Sequence, residues 1–157
     1  MNNRDFLYSV ERTYPVSLNK LWSAWVEPAA LSVWYCPTDL SVEKDSVQNQ
    51  AVVGGLWTVG VSVPQYNMVA YFFGEFTQVI EQELLEHTMT YTQSIEEFQA
   101  RVPSPLAHIV RVDFKEVEGG AWAKFSQYGN LPEGEAPRAQ AGMESYFDNL
   151  GKFLQGN

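Results

Sequence analysis

The apolar positions at the start of the chain alternate with polar ones and then change to a helical period. Residues 6–14 are rich in aromatic and β-branched types, which predicts a first strand that ends at Pro15. Ser17 is a suitable N-cap for a helix after this strand. The apolar positions of that helix lie on one face and are Leu18, Leu21, Trp22 and Trp25.

A second short helix is predicted directly after the first. Pro28 ends the first helix and is also suited to the first turn of the next one. Leu31, Trp34 and Tyr35 then form one apolar face, and Pro37 closes the segment. The chain therefore opens with a strand and two short helices.

After these helices the apolar period becomes two, which is typical of strands with one buried face. The predicted strands lie near 38–45, along the run from Trp57 to Val63, and over 68–80, 83–93, 107–117 and 120–129. Ser94 and Glu97 match a capping box, so residues 94–106 are predicted to be a loop with a helical turn. Pro103 and Pro105 prevent that helix from continuing.

The last segment has the strongest helical pattern in the chain. From Pro137 to Leu154 the predicted helix is roughly 27 Å long, and Gly156 is suited to its C-terminal cap. Its apolar positions recur at intervals of three and four and are Ala139, Met143, Tyr146, Phe147, Leu150, Phe153 and Leu154.

The order of these elements predicts an α+β fold. Consecutive strands with short connections pair antiparallel, and a twisted sheet of six to seven strands curls. The long C-terminal helix is the element best suited to cover the apolar face of that sheet. We therefore predict a single domain over residues 1–157, in which a curved antiparallel sheet surrounds the helix and an internal cavity lies between them.

Composition supports a globular protein with a ring-rich interior. The 157 residues are 45% hydrophobic, and five Trp, eight Tyr and nine Phe supply rings that fill cores and line apolar pockets. The net charge is −9 and there is no basic run, so neither nucleic acid nor an anionic membrane is an expected partner.

The single cysteine, Cys36, excludes an internal disulfide. There is no apolar leader after Arg4 and no stretch of about 20 apolar residues. A cytoplasmic location is the expectation.

A set of short motifs along the chain resembles the helix-grip superfamily of START-like, Bet v-type and polyketide-cyclase proteins (the SRPBCC group). Within it, the chain resembles the activator of heat-shock-protein-90 ATPase homologues. The motifs run nearly from end to end, in the family's order, and are Leu21–Pro28 (LWSAWVEP), Trp34–Pro37 (WYCP), Gly54–Trp57 (GGLW), Gly74–Phe76 (GEF) and the helix Gly142–Leu154. The resemblance implies the helix-grip fold and, from the family name, a co-chaperone role.

Side-chain parity along the strands predicts which residues line the cavity. Twelve residues are expected to face it: Trp57, Val59, Tyr71, Phe73, His87, Met89, Tyr91, Phe125, Gln127, Met143, Phe147 and Leu150. A one-residue bulge at Gly74 would reverse part of this set. The two histidines, His87 and His108, lie on separate strands without a ligand-spaced motif, so no metal or other cofactor is expected.

Three functional hypotheses follow. The first is a non-catalytic domain that binds a small hydrophobic or amphipathic molecule in the cavity. The second is a protein-interaction role of the co-chaperone type, with a chaperone or another protein as partner. The third is a cyclase, dehydratase or hydrolase acting inside the cavity, for which His87, Tyr71, Tyr91 and Gln127 are the polar candidates. No residue is assigned as catalytic.

Overall fold

An eight-stranded antiparallel sheet and four α-helices make up the part of the protein that this computed structural model describes, residues 5–156. Residues 1–4 and 157 of the predicted domain lie outside that part. The strands are β1 (Phe6–Tyr14), β2 (Ser41–Val42), β3 (Gln48–Asn49), β4 (Leu56–Val63), β5 (Met68–Ile80), β6 (Leu84–Thr92), β7 (His108–Val117) and β8 (Gly120–Tyr128). The helices are α1 (Leu18–Val26), α2 (Pro28–Trp34), α3 (Ile95–Ala100) and α4 (Glu135–Gln155).

The strand order is β1-β8-β7-β6-β5-β4-β2, and β3 also pairs with β4. Every pair is antiparallel, because short connections join most consecutive strands. The predicted α+β fold, a curved sheet with a long C-terminal helix, is confirmed. The path holds seven strands, within the predicted six to seven, and the two-residue strand β3 pairs with β4 beside it. The strand predicted near 38–45 is reduced to Ser41–Val42.

The two short helices form where their capping residues predict them. The Ser17 side chain accepts a hydrogen bond from the Lys20 amide at 3.1 Å, and Pro28 lies in the first turn of α2. The indole N–H of Trp34 donates to the Ala24 carbonyl at 2.8 Å, and the Trp34 ring packs against Trp25. The helices are thus held together by a buried hydrogen bond and ring contacts.

Helix α4 packs on the inner face of the sheet. Its buried residues belong to the same core as the inward side chains of the strands, and they are Met143, Phe147, Leu150 and Leu154. Arg12 on β1 forms ion pairs of 2.6 Å with Glu144 and Asp148. The buried Tyr14 hydroxyl donates to the Phe147 carbonyl at 2.7 Å. These contacts fix the C-terminal half of α4 against β1.

A second, smaller apolar cluster lies on the outer face of the sheet. Helix α3 places Phe98 against Tyr71 at 4.4 Å and against Phe73 at 6.1 Å between ring centroids. The prediction that Tyr71 and Phe73 face the cavity is therefore wrong. The register explains the error, because Trp57 lies opposite Gly74 and residues directly opposite each other share a face.

Candidate functional site

A cavity of about 200 Å³ lies between the N-terminal half of α4 and the inner face of the sheet. The sheet contributes the side chains of Tyr8, Trp57, Phe72, Met89, Phe125 and Gln127. Helix α4 contributes Ala139, Gly142, Met143 and Tyr146, and Tyr35 after α2 completes the wall. The cavity is lined mainly by rings and other apolar groups, as an apolar ligand site requires.

Five of the twelve predicted cavity residues lie in this wall, namely Trp57, Met89, Phe125, Gln127 and Met143. Three others, Val59, Phe147 and Leu150, are at most 1% exposed and pack in the core behind it. A strand or helix pattern identifies a face, but it does not distinguish a residue that packs against neighbours from one that borders a space.

His87 and Tyr91 face inward but do not line this cavity. The His87 ring stacks on Trp57 at 4.0 Å between centroids, and its Nδ1 lies 2.8 Å from the Thr88 carbonyl oxygen. Burial lowers the pKa of His87 to about 4, so its ring is neutral near pH 7. Tyr91 is 49% exposed and packs on Phe72.

The four polar side chains that the enzyme hypothesis requires are therefore not brought together in the cavity. Tyr71 lies on the opposite face of the sheet, His87 is stacked behind Trp57, and only Gln127 borders the cavity. Within residues 5–156 no group of three or more His, Cys, Asp or Glu side chains is placed to hold a metal ion. No helix in the same part of the chain is both long enough and apolar enough to cross a membrane.

Six residues of the wall were not predicted: Tyr8, Tyr35, Phe72, Ala139, Gly142 and Tyr146. The pattern contained a signal for some of them. Ala139 and Tyr146 are on the predicted apolar face of α4, and Tyr8 alternates with Val10 along β1. Phe72 was missed for the same reason that Tyr71 was misplaced, since the two are neighbours on β5 and face opposite sides.

A chain of hydrogen bonds leads from the cavity toward the surface. The Tyr8 hydroxyl donates to Gln127 Oε1 at 2.6 Å, and Gln127 Nε2 lies 2.7 Å from His108 Nδ1. His108 Nε2 lies 3.0 Å from the Asn130 carbonyl oxygen, which can only accept. His108 Nε2 therefore carries the proton, Gln127 Nε2 donates to His108 Nδ1, and Gln127 Oε1 accepts from Tyr8.

The cavity offers uncharged hydrogen-bonding groups. Burial raises the pKa of Tyr8, of Tyr35 and of Tyr146 above the ordinary value, so all three phenols are protonated. The rings of Tyr35 and Tyr146 meet edge to face at 5.0 Å. Among the described residues, none that lines the cavity carries a formal charge.

Two larger grooves, of about 510 and 360 Å³, lie on the outer face beside residues 101–107. Their walls mix charged and hydroxyl side chains with apolar ones and include Glu75, Thr88 and Arg101. The walls of these grooves contain fewer aromatic rings than the wall of the cavity under α4. The cavity under α4 is therefore the stronger candidate site.

Comparison with known proteins shows the family. The model of the family described as Activator of Hsp90 ATPase homolog 1-like protein matches residues 15–155. No curated protein matches the chain significantly.

Solved structures with the same fold have low sequence identity to the chain. An AHSA1 protein from Silicibacter pomeroyi is 17% identical with a TM-score of 0.79, and the match covers 94% of this chain and 96% of that one. A Chromobacterium violaceum protein is 16% identical with a TM-score of 0.78, over 94% and 95% of the two chains. An AHSA1-like protein from Aeromonas hydrophila is 20% identical with a TM-score of 0.73, over 95% and 92%.

Proposed function

The chain belongs to the family of Activator of Hsp90 ATPase homolog 1-like proteins, and we propose that it binds one small, uncharged, mainly apolar molecule in the cavity under α4. The observation that carries this proposal is the cavity itself, whose wall is formed by rings from four strands, by Met89 from a fifth and by one face of α4. Such a wall removes apolar ligand surface from water, which is the main favourable contribution to binding.

The cavity volume limits the size of the ligand. A dry apolar cavity of about 150 Å³ holds benzene. A cavity of about 200 Å³ therefore suits a molecule with one or two fused rings rather than a long acyl chain. Pockets that bind drug-sized ligands are larger than this cavity, with volumes of roughly 300–1,000 Å³.

The charge of the wall favours a neutral ligand. A carboxylate in this cavity would have no cationic partner among the described lining residues, and burying an unpaired charge is strongly unfavourable. The net charge of −9 adds repulsion at longer range. The protonated hydroxyls of Tyr35 and Tyr146 are able to donate to a carbonyl or hydroxyl oxygen of the ligand.

Two probes of nearly equal shape test the proposal. 1-Acetonaphthone is neutral and has a carbonyl acceptor, whereas 1-naphthoate has a carboxylate at the same position. Calorimetric titration at pH 7.5 is expected to show saturable one-to-one binding of the ketone, at least tenfold tighter than that of the acid. Equal binding of both would overturn the neutral-ligand proposal, and no saturable binding of either would overturn the use of the cavity for a ligand of this size.

A matched pair of variants places the binding in this cavity. Met143→Trp puts a larger ring into the space under α4, while Met143→Leu nearly conserves the volume. The ketone is expected to bind Met143→Leu within about threefold of the unmodified protein and to lose measurable binding to Met143→Trp. Circular dichroism spectra that match for both variants would show that the loss is not a loss of fold.

A protein-interaction role is the second candidate. The family name refers to activation of a chaperone ATPase, and two adjacent valines, Val52 and Val53, are 61% and 66% exposed between β3 and β4. If this surface contacts a chaperone, saturating protein stimulates the chaperone's ATPase, and the double substitution Val52→Ser and Val53→Ser removes the stimulation. An unchanged ATPase rate at saturating protein would eliminate this candidate.

A further inference from the structure

A second, much smaller cavity of about 10 Å³ lies between the two short helices and the sheet. Three of the polar side chains that border it are Trp25 from α1, Asn49 from β3 and His87 from β6. Tyr35 and Trp57 border it as well, and the remaining side chains of its wall are apolar. Because Tyr35 and Trp57 also line the cavity under α4, these two side chains separate the two spaces.

Two of the three polar groups are buried without a hydrogen-bond partner among the described residues. They are Trp25 Nε1–H, which can only donate, and Asn49 Oδ1, which can only accept. The orientation of the Asn49 amide is fixed, because its Nδ2 donates to the Val26 carbonyl at 2.7 Å. Leaving a buried donor and a buried acceptor unsatisfied would be costly, so each requires a partner.

The third group supplies a second acceptor. The His87 Nδ1 lies 2.8 Å from the Thr88 carbonyl oxygen, which accepts only, so Nδ1 carries the proton of the neutral ring. Nε2 is then left with a lone pair. The stacking of His87 on Trp57 and its edge contact with Phe76 hold the ring in this orientation.

We infer that this cavity binds one water molecule, which accepts a hydrogen bond from Trp25 Nε1–H and donates to Asn49 Oδ1 and His87 Nε2. A water molecule at this position accepts one hydrogen bond, from the indole, and donates two, one to each acceptor. Its hydrogen-bonding capacity therefore matches the three groups. A cation does not fit, because the indole N–H has no lone pair to offer it. The volume of about 10 Å³ is close to one probe sphere, the smallest space that holds a water, and three bonds are typical of buried waters.

The Asn49 side chain already bonds β3 directly to α1. The water adds a connection from both of these elements to β6, behind the rings of Tyr35 and Trp57 that also line the larger cavity. The water site does not rest on ligand binding, and it would persist if the larger cavity bound nothing.

Nuclear magnetic resonance on the full chain tests the water site directly. A rotating-frame cross-peak between the Trp25 indole N–H and the water frequency, with the sign of dipolar contact rather than of exchange, is the expected result. The Trp34 indole is the internal control, since it is also buried but donates to the Ala24 carbonyl, and it is expected to show no such cross-peak.

His87→Phe is the matched variant, because it removes the acceptor Nε2 and keeps a ring that can stack on Trp57. The Trp25 cross-peak is expected to disappear in this variant. A crystal structure of the unmodified protein at about 1.5 Å resolution provides a second measurement that does not depend on the variant folding. Electron density in which Trp25 Nε1 bonds directly to His87 or Asn49, with no water between them, would overturn the inference.

Discussion

A single missing side chain shapes the helix wall of the larger cavity. Gly142 borders the cavity in the middle of α4, and a Cβ atom added there would meet no other heavy atom within 4 Å. Glycine in a helix interior is roughly 1 kcal/mol less favourable than alanine. The glycine therefore leaves room in the cavity at a cost in helix stability.

Gly142→Ala is expected to raise the free energy of unfolding by up to about 1 kcal/mol and to weaken binding of the ketone probe. The first effect comes from helix propensity and the second from the methyl group that enters the cavity. Urea denaturation and calorimetric titration measure the two effects. Gly151→Ala is the control, because its new Cβ would lie 3.3 Å from the Tyr14 ring and is not expected to stabilise. Stabilisation without any change in binding would contradict the placement of Gly142 in the ligand wall.

His87 makes the stability of the protein depend on pH. The pKa of His87 is about 4 in the folded state, against roughly 6.5 in the unfolded chain, so the unfolded chain binds more protons between these values. Its contribution is fully present above pH 6.5 and is lost as pH falls toward 4, by about 3 kcal/mol in total.

Urea denaturation between pH 7 and pH 4 tests this dependence. The stability difference between the unmodified protein and His87→Phe is expected to shift by about 3 kcal/mol over the range, in favour of the variant at low pH. Parallel stability curves for the two proteins would show that His87 is not buried as the structure places it.

At the scale of elements, β5 shows what a sequence pattern leaves undecided. The strand carries aromatic side chains on both faces, with Phe72 and Phe76 inward and Tyr71 and Phe73 outward. Alternation usually identifies the buried face, but here α3 covers the outer face and both faces are apolar. Only the register with β4 distinguishes them, and register depends on pairing that no local pattern contains.

Helix α3 is expected to depend on one ring. It has six residues, too few to be stable alone, and Phe98 is its only buried side chain. Phe98→Ala is expected to speed amide hydrogen exchange in residues 95–100 at least tenfold and to leave binding of the ketone probe unchanged, because the helix lies on the face opposite the cavity. A loss of binding in this variant would show that the two faces of the sheet are coupled.

At the scale of the whole molecule, the element order and the motifs together predicted the fold. The chain's period changes placed three of the four helices and most of the sheet, and a capping box indicated a helical turn where α3 forms. Caps, prolines and alternation are local signals, which is why these elements could be predicted. The cavity was less accessible to prediction. Leu150 packs in the core while Tyr146 borders the cavity, and the difference depends on the distance between α4 and the curved sheet along the helix. No local pattern in the sequence encodes that distance.

The net charge of −9 also acts on the molecule as a whole. Like charges on one folded chain repel, and salt screens them, so 0.5 M NaCl is expected to stabilise the protein relative to 0.02 M. A gain on the order of 1 kcal/mol would raise Tm by about 2–4 °C at pH 7.5. The same comparison near the isoelectric point of about 4.6 is the control and is expected to show little change. An equal rise at both pH values would assign the effect to something other than charge.

Trp57 lies in the wall between the two cavities, where its ring stacks on His87 and its side chain also lines the space under α4. Indole emission responds to the polarity and to the proton donors around the ring. The protein therefore contains its own optical reporter, which senses a guest on one side and the state of an imidazole on the other. With the other four tryptophans replaced by phenylalanine, one emission spectrum would follow both events in the same sample, without an attached dye.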